Sequence, residues 1–197
     1  MTTEKEIEMA KPGPTTTSAQ ILEESACHVL GTLVDAPMFE TRPNYQVVTA
    51  VVDCGHDQIV RIEAPVVIAE IETDTVVAGL GATIAAMSAG DAIEVRGHLQ
   101  VRPLRVVPRW TRALPSAPDR PRARLETGPL TMASYDSGRD ADRQEATMRS
   151  RRGATLRAVL PRNTWVATGS LVSAVVLPQR RTGGGKLCHL QSVEVVA

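Results

Sequence analysis

Aromatic side chains are scarce in this sequence: one Phe, two Tyr and two Trp make up 3% of its 197 residues. Long apolar runs are also missing, since none reaches the ~18 residues that a membrane-spanning helix requires, and no membrane partner is expected. The N-terminus lacks the basic, apolar and small-residue order of a secretory signal. Three widely spaced cysteines make no disulfide framework. These absences together predict a cytoplasmic protein with reduced thiols.

Catalytic and metal-binding signatures are absent as well. Cys27 with His28, and Cys188 with His189, cannot readily share a zinc ion on a strand, because adjacent side chains point to opposite faces. No CxxC spacing accompanies them. Residues 183–186 (GGGK) lack the flanking residues of a phosphate-binding loop, and no nucleophile–base pair stands at a recognisable spacing. The sequence therefore predicts no enzyme, no metal and no cofactor.

The net charge of zero conceals an uneven distribution of charge along the chain. Residues 1–95 hold four Lys/Arg against fifteen Asp/Glu, which gives −11, and residues 96–197 hold eighteen against seven, which gives +11. Such asymmetry points to contact with nucleic acid or to head-to-tail association. The alternative is that the two halves neutralise each other within one molecule, or that they are two solvated faces of opposite sign.

Extended, Val-rich runs outnumber helical patterns, which predicts a mostly β protein. Strands are expected over residues 27–34, 46–53 and 58–71. Residues 41–45 (TRPNY) form the tip of a hairpin in this interpretation, because Pro and Asn favour turn geometry. Residues 79–90 are expected to form a short helix or loop before the next strand.

An internal repeat is suggested by residues 81–101 and 153–173, which share six identities in 21 positions without a gap. In the first copy, a helical or turn segment is followed by a Gly-Asp turn and an extended run. Gly97 interrupts that run, and a bulge or bend is expected there. In the second copy Trp165 aligns with Ile93, which favours a core position for Trp165.

Both copies resemble one region of the OB-fold single-stranded-DNA-binding proteins of bacteria and phages, and of the primosomal N proteins. In that family a short helix leads into a strand of the form V-x-V-x-G-x-L, which is similar to residues 93–99 (IEVRGHL) and 165–171 (WVATGSL) here. The opening strands, 27–34 (CHVLGTLV) and 46–52 (QVVTAVV), and the closing strand, 187–196 (LCHLQSVEVV), are similar too.

The resemblance implies an all-β fold of OB-type barrels, either two in tandem or one with long insertions. It implies binding of single-stranded DNA in replication, recombination or repair, in the cytoplasm or associated with the nucleoid. Homo-oligomers are expected, with replication or repair proteins as further partners. The expected organisation is a flexible acidic leader (1–25), an OB-like domain (26–108), a Pro/Arg-rich linker or loop (109–124) and a second OB-like domain (125–197).

A site for single-stranded nucleic acid needs cations along the backbone path and flat side chains on which bases stack. Arginine outnumbers lysine seventeen to one after residue 95, and guanidinium both pairs with phosphate in a fork and stacks on a base. Trp110, inside the basic segment, is the best stacking candidate. The candidate nucleic-acid-binding residues are Arg102, Arg105, Arg109, Trp110, Arg112, Arg149, Arg151, Arg152, Arg157, Arg180, Arg181 and Lys186.

With so few aromatics, binding has to rely on phosphate contacts and should weaken steeply with salt. A different function is also compatible with the sequence. Low aromatic content and Val-rich strands fit an OB-type protein-interaction or assembly module without nucleic-acid binding, in which the arginines meet an acidic protein face.

Overall fold

The computed structural model describes residues 21–71, 74–137, 144–181 and 188–196. Within these ranges the chain forms fourteen strands and one short helix, and no helix is long and apolar enough to cross a membrane. The elements are β1 (Ile21–Leu33), β2 (Met38–Arg42), β3 (Tyr45–Asp53), β4 (Gln58–Ile71), β5 (Asp74–Ala78), α1 (Ala82–Ala85), β6 (Ala92–Val101), β7 (Leu104–Leu114), β8 (Arg122–Glu126), β9 (Leu130–Ser137), β10 (Gln144–Arg149), β11 (Thr155–Val159), β12 (Leu171–Val176), β13 (Gln179–Arg180) and β14 (Cys188–Val195).

Alternation of buried and solvent-facing residues explains why these segments are strands. Along β1, Cys27, Val29 and Leu33 are buried, whereas His28 and Leu30 between them are only half-buried. Side chains in a strand point to opposite faces in turn, so one face of β1 packs on the core and the other meets solvent.

In the N-terminal half, successive strand pairings form a circuit that begins and ends at β1. Strand β1 pairs with β3, β3 with β4, and β4 with β7 in parallel. Strand β7 then pairs with β6, and β6 pairs antiparallel with β1. Strand β2 continues the sheet beyond β3, and the predicted hairpin tip between β2 and β3 is confirmed.

The C-terminal half repeats this succession. Strand β9 pairs with β10, β10 with β11, and β11 with β14 in parallel. Strand β14 pairs with β12, and β12 pairs antiparallel with β9. Each half therefore contains five strands whose pairing follows the same circuit, with a parallel contact at the same step.

Strand β8 joins the two circuits. It pairs with β1 over five residues, from Ala26 opposite Glu126 to Leu30 opposite Arg122, and its other edge pairs with β12. Strand β13 adds a second connection by pairing with the start of β4. Buried side chains of both halves, including Val29, Leu125 and Met148, belong to one continuous hydrophobic cluster.

Two predicted boundaries were wrong. Residues 21–25, assigned to the flexible leader, lie in β1, whereas residues 1–20 lie outside the described part of the chain. Residues 109–114, assigned to a linker or loop, belong to β7, and β8 begins at Arg122. Pro108 is accommodated inside β7 because it lies opposite Gly97, where the β6–β7 register shifts, and bulges tolerate proline.

The predicted internal repeat does not correspond to a structural repeat at that offset. Residues 82–85 form α1, but their counterparts begin β11, and residues 160–170 contain no strand where the first copy has β6. Trp165 is 74% exposed rather than part of the core. The two halves do repeat each other in strand order, with β12 in the place of β6. The chance match of common Gly and Ala residues therefore put the sequence alignment at the wrong offset.

Gly97 permits a close approach between β6 and β7. A Cβ atom added there would lie 2.1 Å from the Val107 carbonyl oxygen and 2.8 Å from Pro108 Cα. Both are backbone atoms, so neither can move away as the end of a flexible side chain would. The predicted bulge is confirmed by the register shift between Arg96 and Gly97.

Gly97→Ala is therefore expected to lower the free energy of unfolding by about 1–3 kcal/mol, because β7 must shift to admit the methyl group. Urea unfolding followed by circular dichroism measures the change. Ser116→Ala, at an exposed position between strands, is the control and should stay within about 0.5 kcal/mol of the parent. Equal stability of the Gly97→Ala variant and the parent would contradict the close contact.

The three cysteines are buried and free. Burial raises the pKa of Cys27 to about 12, with a smaller contribution from Glu126, and raises the pKa of Cys54 to about 12, with a contribution from Asp53. Burial also raises the pKa of Cys188 to about 11. All three remain protonated near neutral pH, and a protonated thiol is a poor nucleophile.

We expect all three thiols to resist an aromatic disulfide reagent at about pH 8 in the folded protein, because burial and protonation both oppose attack. In denaturant the reagent should titrate three thiols per chain. Rapid labelling of any cysteine without denaturant, measured by absorbance and located by mass spectrometry, would contradict the buried placement of that residue.

Candidate nucleic-acid interface

Strands β8, β1, β6 and β7 lie side by side and share one solvent-facing surface. Two cross-strand rows are set by the register: Arg124, His28, Arg96 and Trp110 in the first, and Arg122, Leu30, Glu94 and Arg112 in the second. The intervening residues Val29 and Val95 are buried, so strand alternation directs both rows away from the core. We call this surface, together with Arg109, the arginine face.

Glu94 lies at the centre of the arginine face, and its side chain is only 8% exposed. Arg112 Nη2 donates a hydrogen bond to Glu94 Oε2 at 2.7 Å. Arg96 Nη2 donates to Glu94 Oε1 at 3.0 Å, and His28 Nε2 lies 3.0 Å from the same oxygen. Both carboxylate oxygens are therefore occupied by side chains from β1, β6 and β7.

The protonation of Glu94 reflects two opposing effects. Burial alone would raise the pKa of this carboxyl group, because desolvation disfavours the charged form. Hydrogen bonds from Arg96, Arg112 and His28, together with the charge of Arg112, outweigh burial and hold the pKa of Glu94 below its ordinary value. Glu94 is therefore ionised at neutral pH and neutralises part of the positive charge around it.

Trp110 lies close to two guanidinium groups. The Cζ atoms of Arg96 and Arg112 each lie 5.5 Å from the centroid of its ring, which is within cation–π range. The Trp110 side chain is nevertheless 42% exposed. A large planar ring thus remains accessible at the surface beside two cations.

An open groove of about 660 Å³ runs across the arginine face, between the bend of β1 at residues 25–28 and the side chains of Arg96, His98, Arg109 and Arg124. A second groove shares His28 and Arg96 with it and extends past Arg112 and Arg122 toward residues 114–119. Five arginines (96, 109, 112, 122 and 124) line these grooves against the carboxylates Glu94, Asp119 and Glu126. The charge of the surface is positive.

Of the predicted site residues, Arg109, Trp110 and Arg112 lie together on this face. Arg102 is in the turn between β6 and β7. Arg105 lies on β7, where it forms an ion pair with the buried Glu63, which Arg42 also contacts at 3.1 Å.

The predicted residues of the C-terminal half lie elsewhere. Arg149 ends β10 and Arg151 lies in the following turn, both exposed. Arg152 pairs with Glu23, and Arg157 pairs with Asp136 at 2.9 Å. Arg180 lies on β13, followed by Arg181, which pairs with Asp53 at 3.0 Å. Lys186 lies outside the described residues.

The eleven predicted residues that the structure describes therefore do not form one surface. Five of these predicted arginines pair with carboxylates: Arg105 with Glu63, Arg112 with Glu94, Arg152 with Glu23, Arg157 with Asp136 and Arg181 with Asp53. Four of these pairs reach carboxylates within residues 1–95. Intramolecular neutralisation, one alternative interpretation of the charge split, is thus present in part.

The site residues predicted from the sequence did not include His28, Glu94, Arg96, Arg122 and Arg124. Arg96 could have been identified from its position between Val95 and Gly97 in a run already assigned as a strand. Because side chains alternate between the two faces of a strand, Arg96 points away from the core, to the face opposite that of the buried Val95. Arg122 and Arg124 alternate in the same way with Ala123 and Leu125. Their assignment to a linker concealed this pattern.

No protein-family model and no curated protein matches this sequence. Among solved structures, the chain is similar to the wild-type single-stranded DNA binding protein from Thermus aquaticus, with 11% identity, a TM-score of 0.55 and coverage of 88% of this chain and 93% of that chain. A deletion mutant of the same Thermus aquaticus protein gives 12% identity, a TM-score of 0.55, and 88% and 94% coverage. At this identity the likeness concerns the fold, and it supports the predicted all-β fold of OB type.

The lowered pKa of Glu94 has a consequence for stability. A carboxyl group whose pKa is lower in the folded than in the unfolded state stabilises the fold above its unfolded pKa, and this contribution is lost as the pH falls through the folded-state pKa. We expect Glu94→Gln to reduce the free energy of unfolding by about 1–3 kcal/mol at neutral pH. The difference from the parent should shrink below about pH 4.

Urea unfolding of both proteins at stepwise decreasing pH measures this dependence. The matched control is Glu126→Gln, whose carboxylate is more exposed and pairs with the exposed Arg124; the expected change there is within about 1 kcal/mol. A stability difference for Glu94→Gln that stayed constant down to about pH 3 would contradict the charged hydrogen bonds as its source.

Proposed function

We propose that this protein binds single-stranded DNA through the arginine face and acts in replication, recombination or repair. The observation that carries the proposal is the exposed ring of Trp110, which lies close to Arg96 and Arg112 on a surface lined by five arginines. Cations that track a backbone and a planar ring on which a base stacks are what a single strand requires. The fold shared with the Thermus aquaticus single-stranded DNA binding protein supports the same assignment.

The arginines of this face differ in how free they are to meet phosphate. Arg109 and Arg122 form no ion pair with any carboxylate in the described part of the chain. Arg96 and Arg112 are tied to Glu94, yet their side chains are 64% and 59% exposed. Since a guanidinium has five N–H donors, both retain donors for phosphate oxygens while they contact Glu94.

We further propose that each pairing circuit is an OB barrel, so that two barrels lie in tandem. Strands β1, β3, β4, β6 and β7 form the first, and β9, β10, β11, β12 and β14 form the second. In both, strands one to five of the circuit pair in the order 1-2-3-5-4-1, with a parallel contact between three and five. The predicted domains 26–108 and 125–197 are then extended, with β8 as a shared element.

The same proposal includes a homo-oligomer, replication or repair proteins as partners, and a location in the cytoplasm or nucleoid. Strand β2 supports assembly with a further chain. It ends the strand order and pairs with β3 alone among the described strands. It also carries the exposed side chains of Met38 and Phe39. Such an edge is a ready template for pairing with another chain.

The exposed apolar residues of β2 also favour the second candidate function, a protein-interaction or assembly module without nucleic-acid binding. In that function the arginine face would bind an acidic protein surface. The two functions differ in what the isolated protein binds, because only the first requires affinity for an oligonucleotide.

Fluorescence titration with oligo-dT and with a duplex of equal length tests the primary proposal. We expect preference for the single strand, with log affinity falling by about 0.7 per phosphate neutralised for each unit of log salt. Three or more arginine–phosphate contacts would give a slope of about −2 or steeper. No binding at low salt would favour the interaction module, and salt-independent binding would contradict a site built from arginine.

Substitutions identify the surface responsible. Trp110→Ala should weaken oligo-dT binding by about 1–3 kcal/mol, or roughly 5- to 150-fold, because one stacked base is lost. Trp165→Ala, at the other tryptophan, is the matched control and should leave affinity unchanged. Arg109→Glu with Arg122→Glu should abolish binding, whereas Arg149→Glu with Arg151→Glu should reduce it only modestly. The reverse order would place the site on the C-terminal half.

A further inference from the structure

Glu94 is an unexpected residue at the centre of a surface that binds a polyanion. Its carboxylate is ionised and lies among cations, so by charge alone it opposes the binding of phosphate. Removal of a negative charge from such a surface would, on electrostatic grounds, strengthen DNA binding. The contacts of Glu94 point to the opposite result.

Glu94 contacts both of the guanidiniums that lie beside Trp110. Oε2 accepts from Arg112 at 2.7 Å, and Oε1 accepts from Arg96 at 3.0 Å. The same two guanidiniums lie 5.5 Å from the Trp110 ring centroid. The register places Arg96 opposite Trp110 and Arg112 opposite Glu94, so the four side chains form one block across β6 and β7.

We propose that Glu94 is a positioning residue for single-stranded DNA binding, and this inference rests on the proposed function. Glu94 holds Arg96 and Arg112 in one arrangement beside Trp110, so that phosphate donors and the stacking ring are already placed when the strand arrives. Free arginine side chains lose rotamer freedom on binding, which weakens association. The buried carboxylate fixes these two side chains beforehand, and this outweighs the repulsion between its charge and the phosphates.

His28 contributes a third support to the block. Its Nε2 atom lies 3.0 Å from Glu94 Oε1, and it approaches from β1, on the side away from β7. The carboxylate is therefore held from both neighbouring strands. Its 8% exposure leaves it little contact with solvent or with a bound strand, so Glu94 acts through the two arginines and not by touching DNA.

The inference predicts that Glu94→Gln weakens oligo-dT binding at neutral pH even though it makes the surface more positive. Two rotamer-rich side chains lose their anchor, which corresponds to a loss of roughly tenfold in affinity. The effect should be much smaller in a Trp110→Ala background, because the positioned guanidiniums no longer flank a stacking ring. Fluorescence anisotropy with labelled oligo-dT measures all four proteins of this cycle.

A second pair of variants keeps the inference testable if Glu94→Gln does not fold. Arg112→Lys retains the charge but loses the planar fork, and it should weaken binding several-fold. Arg162→Lys, at an exposed turn position after β11 and outside the arginine face, is the matched control and should leave affinity unchanged. Equal effects of the two lysine variants would overturn the inference, as would a Glu94→Gln protein that binds as tightly as the parent or more tightly.

The outcomes separate the two proposals. If the parent protein does not bind oligo-dT, the proposed function fails and the role of Glu94 fails with it. Suppose instead that the parent binds and that Trp110→Ala weakens binding, but that Glu94→Gln has no effect on affinity either alone or in the Trp110→Ala background. The proposed function then stands, and the positioning role of Glu94 is wrong.

Discussion

The hydrogen bonding of β1 along both of its edges is the constraint on which the rest of the molecule depends. One edge pairs with β6 and the other with β8, so a single strand belongs to the first circuit and leads to the second. The register of β1 against β6 shifts between Leu22 and Cys27. Ser25 occupies this irregularity, where its hydroxyl oxygen accepts a hydrogen bond from Leu99 N at 2.7 Å. The residues after this irregularity, Ala26 to His28, line the groove of the arginine face.

Some arginines of this protein pair with carboxylates within the molecule, and some are exposed on its surface. Several arginines of the C-terminal portion are used internally, as in the pairs Arg105–Glu63 and Arg181–Asp53. Others remain available on the surface formed by β8, β1, β6 and β7. The overall charge of zero therefore says little about binding, because neutralisation is local. A positive surface persists where arginines outnumber the carboxylates that face them.

Much of the fold could be predicted from the sequence. Period-two alternation and turn residues located β1, β3, β4 and β6, the β2–β3 hairpin and the irregularity at Gly97, but β5 was not predicted and part of β7 was assigned to a linker. The composition of the site was harder to predict, because the register shift between Arg96 and Gly97 decides which β7 side chains share a face with β6. Trp110 and Arg112 lie beyond that shift, and Arg105 lies before it. A bulge changes which side chains of a strand point to a given face. Because that change depends on a contact between two strands, the sequence of either strand alone does not reveal it.

The shared position of β8 has a mechanical consequence for the whole chain. Five backbone pairs tie β8 to β1, further pairs tie it to β12, and apolar side chains of both halves belong to one hydrophobic cluster. Neither half can rotate about a hinge at residues 115–121 without rupturing those ladders, so the orientation between the halves is rigid. Any ligand that spans both halves therefore meets side chains at a fixed spacing. Two domains joined by a flexible linker would instead adapt their separation to the ligand.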